Sequence, residues 1–373
     1  MKKFLLPLFF GVAGITWWLL RNDFLGNHSG KSAPLPASSR QKEEGIRGAA
    51  KWLEARLANP ETGKIDYREI LRVRQWAAER KVSAGTRSRA LNLKWEKLGP
   101  DNIGGRTRAI LIDRNNPNRM YAGSVTGGLF VSDDGGLSWY RHPSFEQLPY
   151  HQSISSLAQA SNGDIYAGTG EIYVYTEANT VGHLGEGIYK SSDNGQTFRL
   201  LPSTKPFPNM SAETWAYVSE VSVVPNNFLK VYAATYKGLM ISSDSGHSWS
   251  PAPGLPEFTS REVAAGANGV VHAVIGNGTG LGNTNEQYYR SVDGVNFQLV
   301  SGTNGFPDVN TRRIEFAISP DDPNYVYALI VRYDQGEKLR GIYRSVDAGE
   351  NWHIYSPENS ELFNPLGTQG DYD

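Results

Sequence analysis

Cysteine is absent from the 373 residues. That excludes a disulfide framework, a thiolate metal site and a cysteine-borne lipid anchor. An excess of charge of either sign is missing too: 37 Lys and Arg stand against 38 Asp and Glu, for a formal net charge of −1. Such a balanced chain has no general attraction for nucleic acid, which is not expected as a partner. The seven histidines are scattered without metal-ligand spacing, so no metal is expected. No Gly-Lys-Ser/Thr phosphate loop and no Gly-x-Ser-x-Gly elbow occurs, and no cofactor is expected. Glycine (40), tyrosine (19) and tryptophan (9) are plentiful instead, as suits an all-β protein with tight turns and aromatic packing.

Long hydrophobic runs are confined to the start. "MKK" precedes seventeen apolar residues, "FLLPLFFGVAGITWWLL" (4–20), and then Arg21. Residues 1–25 therefore read as a signal peptide or a membrane anchor. The run is longer than an ordinary signal core and at the short limit for a span, and Trp17 and Trp18 suit the membrane interface. Both readings place the rest outside the cytoplasm, either membrane-anchored or secreted. Residues 26–45 are polar and contain Pro, Ser and Gly, as a flexible linker does. Residues 46–90 bear helical stripes, Trp52, Leu53 and Leu57 in one and Ile70, Leu71 and Trp76 in another, broken at "NPETGK".

Beyond Trp95 the texture is β: short apolar runs separated by turn residues. One stretch recurs: "SDDGGLSW" (132–139), "SSDNGQTF" (191–198), "SSDSGHSW" (242–249), "SVDGVNF" (291–297) and "SVDAGENW" (345–352). Its aspartates, Asp134, Asp193, Asp244, Asp293 and Asp347, lie 59, 51, 49 and 54 residues apart. A period near fifty, with four short strands per period, describes a β-propeller of four-stranded blades. Each copy falls at the hairpin between third and fourth strands. There an Asp carboxylate accepts backbone N–H bonds and Gly supplies positive φ, so these acids hold turns.

The motif resembles the Asp-box (BNR) repeat of sialidases, the sortilin/Vps10 propeller, xyloglucan-hydrolysing propellers and a photosystem II assembly factor. From "WEKLGPDNIGGRTRAILIDRNNPNRMYAGSVTGGLFVSDDGGLSW" onward the chain is similar to secreted bacterial propellers of sortilin-like or glycosyl-hydrolase-like type. The resemblance covers residues 95–373. It implies a seven-bladed ring of which five blades are visible, so the chain reads as truncated at its C-terminus.

By the same resemblance, ligands bind the face opposite the Asp turns. Residues expected there include Arg106, Thr126, Trp215, Glu220, Arg261, Arg312 and Arg313. They also include Glu171, Tyr173, Tyr175, Glu177 and His183 from "GTGEIYVYTEANTVGHLGEG" (168–187), read as a long loop. Alternating Tyr and Glu there suit stacking on, and hydrogen bonding to, a sugar or peptide. A sialidase needs an arginine triad, a Tyr nucleophile and an acid. Arg106, Arg261 and Arg312 lie near first-strand starts, but "GGRTRAI" lacks the sialidase Arg-Ile-Pro. Xyloglucan-type hydrolases need two opposed carboxylates, and their Asp-x-Gly-Gly has Val125 in the acid's place here. Glu171 and Glu220 form an alternative pair.

The resulting expectation is an exported, non-catalytic propeller that binds protein or glycan, with the membrane as a partner through the leader. A glycoside hydrolase, sialidase-like or xyloglucanase-like, is one alternative. A structural assembly component of the cell envelope is another.

Overall fold

The computed structural model describes residues 105–146, 153–175, 180–206, 214–276, 286–308, 311–332 and 338–357, with scattered positions between 55 and 80. The chain separates into two units, Met1–Gly48 and Ala49–Asp373, and all described residues belong to the second. The leader and linker lie outside the described residues. Among those described, no helix is long and apolar enough to cross a membrane. In the 46–90 stretch, positions 69, 72, 73, 76 and 80 are helical. Arg80 lies over the exposed Trp76 ring at 4.1 Å.

The remainder is five four-stranded antiparallel sheets, the blades of a β-propeller. Blade one comprises β1 (Thr107–Ile112), β2 (Met120–Ser124), β3 (Gly128–Ser132) and β4 (Tyr140–Arg141). Blade two has β5 (Ile154–Gln159) and β6 (Ile165–Thr169), then a separate hairpin of β7 (Glu171–Tyr175) and β8 (Thr180–His183), then β9 (Ile188–Ser191) and β10 (Arg199–Leu200). Blade three is β11 (Val218–Val224), β12 (Asn227–Thr235), β13 (Gly238–Ser242) and β14 (Ser250–Pro251). Blade four is β15 (Ser260–Ala265), β16 (Val271–Gly276), β17 (Glu286–Ser291) and β18 (Gln298–Leu299). Blade five is β19 (Thr311–Ile318), β20 (Val326–Arg332), β21 (Lys338–Ser345) and β22 (His353–Pro357).

The second strands of blades two and four, and the C-terminal half of β12 in blade three, are covered on both faces and read as unbroken apolar runs, whereas β2 and β20 alternate buried and half-buried positions. "VHAVIG" in β16 is buried at every position. The core is divided among the gaps between blades. One cluster joins Tyr121 and Leu129 of blade one to Ile154 and Phe198 of blade two. Equivalent clusters join Tyr166 to Val221, Tyr232 to Val263, and Tyr288 to Ile314 and Trp352. First strands meet in sequence: β1 lies against β5, β5 against β11, β11 against β15, and β15 against β19. They form the inner wall of the blade series.

Four of the five repeated turns share one hydrogen-bond pattern, and the shorter blade-four turn keeps the Ser291 Oγ bond to Asp293 Oδ1 at 2.9 Å and the N–H bonds to that carboxylate. In blade five, Ser345 Oγ donates to Asp347 Oδ1 at 2.7 Å and accepts the Gly349 N–H at 2.8 Å. Asp347 Oδ1 also accepts the Asn351 N–H at 2.8 Å, and Oδ2 accepts from Asn351 Nδ2 at 2.8 Å. The residue after each aspartate is left-handed: Gly135, Asn194, Ser245, Gly294 and Ala348 have φ between 55° and 72°. These bonds hold Asp134, Asp193 and Asp244 at a pKa of about 2; for Asp193, burial opposes them. Asp293 and Asp347 are shifted down as well. Gly195, the second glycine position of the blade-two turn, has φ 76°, and a Cβ there would land on the Tyr121 hydroxyl. Asp347→Ala is expected to destabilise the protein by about 1–3 kcal/mol, since it strands a buried serine and two turn N–H groups. A urea melt checks it; an unchanged midpoint would show the carboxylate to be dispensable.

Candidate functional site

The inner strands build the site through register. Each first strand has a bulge close to its start: between Thr107 and Ala109, Ile154 and Ser156, Val218 and Glu220, Ser260 and Glu262, and Thr311 and Arg313. Second strands give a common ruler, because Tyr121, Tyr166, Tyr232, His272 and Tyr327 hold one position in the repeat. Two residues after each lie Gly123, Gly168, Ala234, Val274 and Leu329. Their partners on the first strands are Ala109, Ser156, Glu220, Glu262 and Glu315. Three consecutive blades therefore present a glutamate at one height of the inner wall, with serine and alanine completing the series.

These glutamates interact. Ser156 Oγ donates to Glu220 Oε1 at 2.8 Å while accepting the Val221 N–H at 2.9 Å, tying blade two to blade three. Burial pushes the Glu220 carboxyl up to about 8; the negative Glu315 adds to this, while the Ser156 bond, Arg108 and Arg313 oppose it. Glu262 is more enclosed. Burial, then Glu315 and Glu220, raise its pKa well above the carboxylate range, and a hydrogen bond joins it to Glu315. Glu315 receives Arg313 Nε at 2.5 Å, and 42% of its side chain is open to solvent. The arrangement sets a protonated carboxyl beside one clamped by a guanidinium, the separation of roles that acid–base chemistry requires. Among the described residues no cluster of His, Asp and Glu has the geometry to hold a metal ion.

The expected site residues are placed as follows. Glu220 sits in this cluster. Arg261, at the bulge of β15, gives its Nε to the buried Glu286 at 3.0 Å, and Glu286 also accepts the Ile314 N–H at 3.0 Å. Arg106 immediately precedes β1 and is exposed, and Arg312 is the bulge residue of β19. Thr126 lies in the turn after β2, and Val125 beside it is buried. Trp215 lies in a short 3₁₀ turn and is enclosed against Trp249, ring centroids 5.1 Å apart. The segment read as a long loop holds the hairpin β7–β8, whose Tyr-Val-Tyr alternation has the period of a strand. Glu171 and His183 are cross-strand partners there, Tyr173 and Tyr175 lie on β7, and β7 approaches β11. Glu177, and the side chains of 171–183, lie outside the described residues.

Glu262 and Glu315 were not among the expected residues. A signal for them exists in the chain: Glu220 to Tyr232 and Glu315 to Tyr327 both span twelve positions, and Glu262 to His272 spans ten. Aligning blades on the second-strand aromatic, rather than on the Asp turn, brings the acids together.

The cluster has a consequence for stability. The folded pKa of Glu220 lies above the unfolded value of about 4.3, so folding takes up a proton between those limits. The stability linked to it is complete below about pH 4 and is lost as pH rises towards 8. Asp134, Asp193 and Asp244 act oppositely, stabilising above about pH 4 and failing as pH falls towards 2. Thermal stability is therefore expected to peak on the acid side of neutral. Glu220→Gln should raise the melting temperature more at pH 8.5 than at pH 5. Equal shifts at both pH values would show that Glu220 titrates normally.

The fold and the inner wall define a β-propeller with a shared carboxyl cluster on its first strands. No family model matches the chain. Two curated proteins are similar to it. A probable oligoxyloglucan-reducing end-specific xyloglucanase of Neosartorya fischeri is 24% identical over 317 residues, covering 73% of this chain and 36% of the relative. An oligoxyloglucan-reducing end-specific xyloglucanase of Emericella nidulans is 24% identical over 306 residues, covering 71% and 35%. The chain thus spans about a third of the length of these relatives. Among solved structures, an ancestral GH74 enzyme matches 69% of this chain and 34% of its own at 20% identity, with a TM-score of 0.49. The expectation of a non-catalytic binding scaffold is corrected by the curated relatives, which align with seven-tenths of the chain and are named xyloglucanases. The Val125 argument against hydrolysis tested one position only, and the inner wall supplies carboxyls elsewhere.

Proposed function

We propose that this chain is a glycoside hydrolase of the xyloglucan-degrading kind, acting outside the cytoplasm on a β-linked polysaccharide. The observation that carries the reading is the alignment of Glu220, Glu262 and Glu315 at one register position of three consecutive blades. The names of the curated relatives support it. The four Ser-x-Asp-x-Gly turns and the shorter "SVDGVNF" copy support reading the blades as Asp-box blades, and the apolar leader supports export, anchored or released.

In this mechanism Glu220, neutral near pH 7, donates its proton to the glycosidic oxygen as the bond to the anomeric carbon breaks. Glu315, paired with the Arg313 guanidinium, faces the developing positive charge. It either takes a proton from the attacking water or forms the covalent intermediate. Glu262 stays protonated and steadies Glu315 through their hydrogen bond. The test is reducing-end release from soluble xyloglucan and from mixed-linkage and β-1,4-glucans. Activity on one of these, lost in Glu220→Gln, is expected. Release that persists in Glu220→Gln would remove the acid from the inner wall, and no release from any of them would end the reading.

A further inference from the structure

Along the inner wall, a side chain of one blade accepts a first-strand N–H of the next. Ser156 Oγ takes the Val221 N–H at 2.9 Å, and Ser222 Oγ takes the Ala265 N–H at 3.0 Å. Between blades four and five the acceptor is Glu286, whose Oε2 takes the Ile314 N–H at 3.0 Å. A neutral hydroxyl suffices for the first two stitches. Glu286 is 1% exposed, and burial disfavours its charge. Stitching alone does not require that charge, and buried titratable groups of this kind concentrate at functional sites.

Glu286 opens β17 and holds the start of β19 at two points. Its main-chain carbonyl accepts the Thr311 hydroxyl, and its carboxylate accepts the Ile314 N–H. The β19 bulge falls inside the held segment, between Thr311 and Arg313. A bulge re-aims the side chains beside it. Here those are Arg313 and, two residues on and therefore on the same face, Glu315, which accepts from Arg313 Nε at 2.5 Å. Glu286 Oε1 lies 3.0 Å from Arg261 Nε, at the bulge of β15. The charged groups acting on Glu286 are thus Arg261 of β15 and Arg313 and Glu315 of β19. Residues 277–285, which precede it, contain no titratable side chain.

We infer that Glu286 is a positioning residue of the carboxyl cluster: its buried carboxylate locks the β19 bulge, so that Arg313 and Glu315 keep their place on the inner wall. It acts through the Ile314 N–H. Its kinetic consequence rests on the hydrolase reading; the lock itself does not. When ionised, Glu286 attracts Arg261 with one oxygen and accepts from Ile314 with the other. When protonated, one oxygen becomes a donor that faces a guanidinium or an N–H, and the lock loosens. Burial pushes this carboxyl up to about 7, with Arg261 and Arg313 opposing and the negative Glu315 adding. The lock therefore tightens as pH rises through neutrality.

The test compares the wild type with Glu286→Gln and Arg261→Gln, folding being verified by circular dichroism. Solvent exchange of the Arg313 Nε–H, assigned by NMR through Arg313→Lys, reads the lock without substrate. It should be about tenfold faster in Glu286→Gln, as expected when a charge-assisted hydrogen bond is weakened. Faster exchange at the Ile314 amide with Arg313 unchanged would mean a stitch without positioning and would overturn the inference. In kinetics on the glucan that the wild type cleaves, Glu286→Gln should lower kcat by about 10–10²-fold with KM little changed. The wild-type rate should rise through about pH 7 on its acid limb. That limb should move to lower pH in Glu286→Gln, which cannot ionise, and to higher pH in Arg261→Gln, which loses the cation favouring ionisation. A loss confined to KM, or a limb that neither variant moves, would also overturn the inference. A wild type that cleaves no glucan would remove the hydrolase reading instead, and the exchange measurement then decides the lock alone. Glu286→Asp, which draws the carboxylate back by one methylene, replaces Glu286→Gln in the exchange and kcat measurements if that variant fails to fold.

Discussion

Glu220→Gln is expected to lower polysaccharide hydrolysis by about 10²–10⁴-fold, the usual contribution of a positioned general acid. The amide is isosteric and keeps an acceptor for the Ser156 hydroxyl bond at 2.8 Å, so binding should be largely preserved. The loss is expected in kcat rather than KM, because a proton is needed only as the bond breaks. The wild-type rate should fall on the alkaline side near pH 8 as Glu220 ionises, and that limb should be absent from the residual activity of the variant. Glu315→Gln should be as damaging, with a substrate bearing an activated leaving group rescuing Glu220→Gln but not Glu315→Gln. Rescue of both would mean that neither acts after protonation and would reassign Glu315.

Trp352→Ala is expected to destabilise the fold by about 3–5 kcal/mol, as for a fully buried aromatic. The indole touches the rings of Tyr288, Phe306 and Phe316 at centroid distances of 5.8, 5.2 and 6.1 Å. Its Nε1 donates to Gly349 O at 3.0 Å, the same carbonyl that Tyr288 reaches from the preceding blade. Trp139 makes the same local bond, to Gly136 O at 3.0 Å, but is 42% exposed. Trp139→Ala should therefore cost below about 1 kcal/mol. Chemical denaturation of both variants decides it. Equal effects would mean that stability comes from the turn alone and that blade-to-blade packing adds little.

The blade count and strand order were legible because the repeated turn combines a fixed offset of Ser, Asp and Gly with a constant place in the hairpin. Local chemistry of that kind survives in sequence. The inner wall was less legible. Glu262 in "SREVAA" and Glu315 in "RRIEFAI" look like ordinary polar residues of an alternating strand. What brings them beside Glu220 is a long-range pairing plus a bulge, and neither has a residue signature of its own. The β7–β8 hairpin was hidden for another reason. Glycines and acids around it look like loop chemistry, and they outweighed a Tyr-Val-Tyr alternation only three residues long. The hydrolase reading stood only as an alternative because two local motifs, the sialidase Arg-Ile-Pro and the acid at the place of Val125, are missing, while the register that gathers the three glutamates is not written in any short motif.

The spacing between inner-wall residue and second-strand aromatic is twelve in blades one, three and five and ten in blades two and four. Only even lengths occur in these five hairpins; within a paired strand side chains alternate, so a one-residue shift of register would turn the acid away from the wall. Hairpin tips on these blades can thus grow or shrink by pairs without disturbing the glutamates. A single-residue deletion between Glu315 and Tyr327 would damage the wall more than removing two. Parity, more than length, is what these five hairpins have in common.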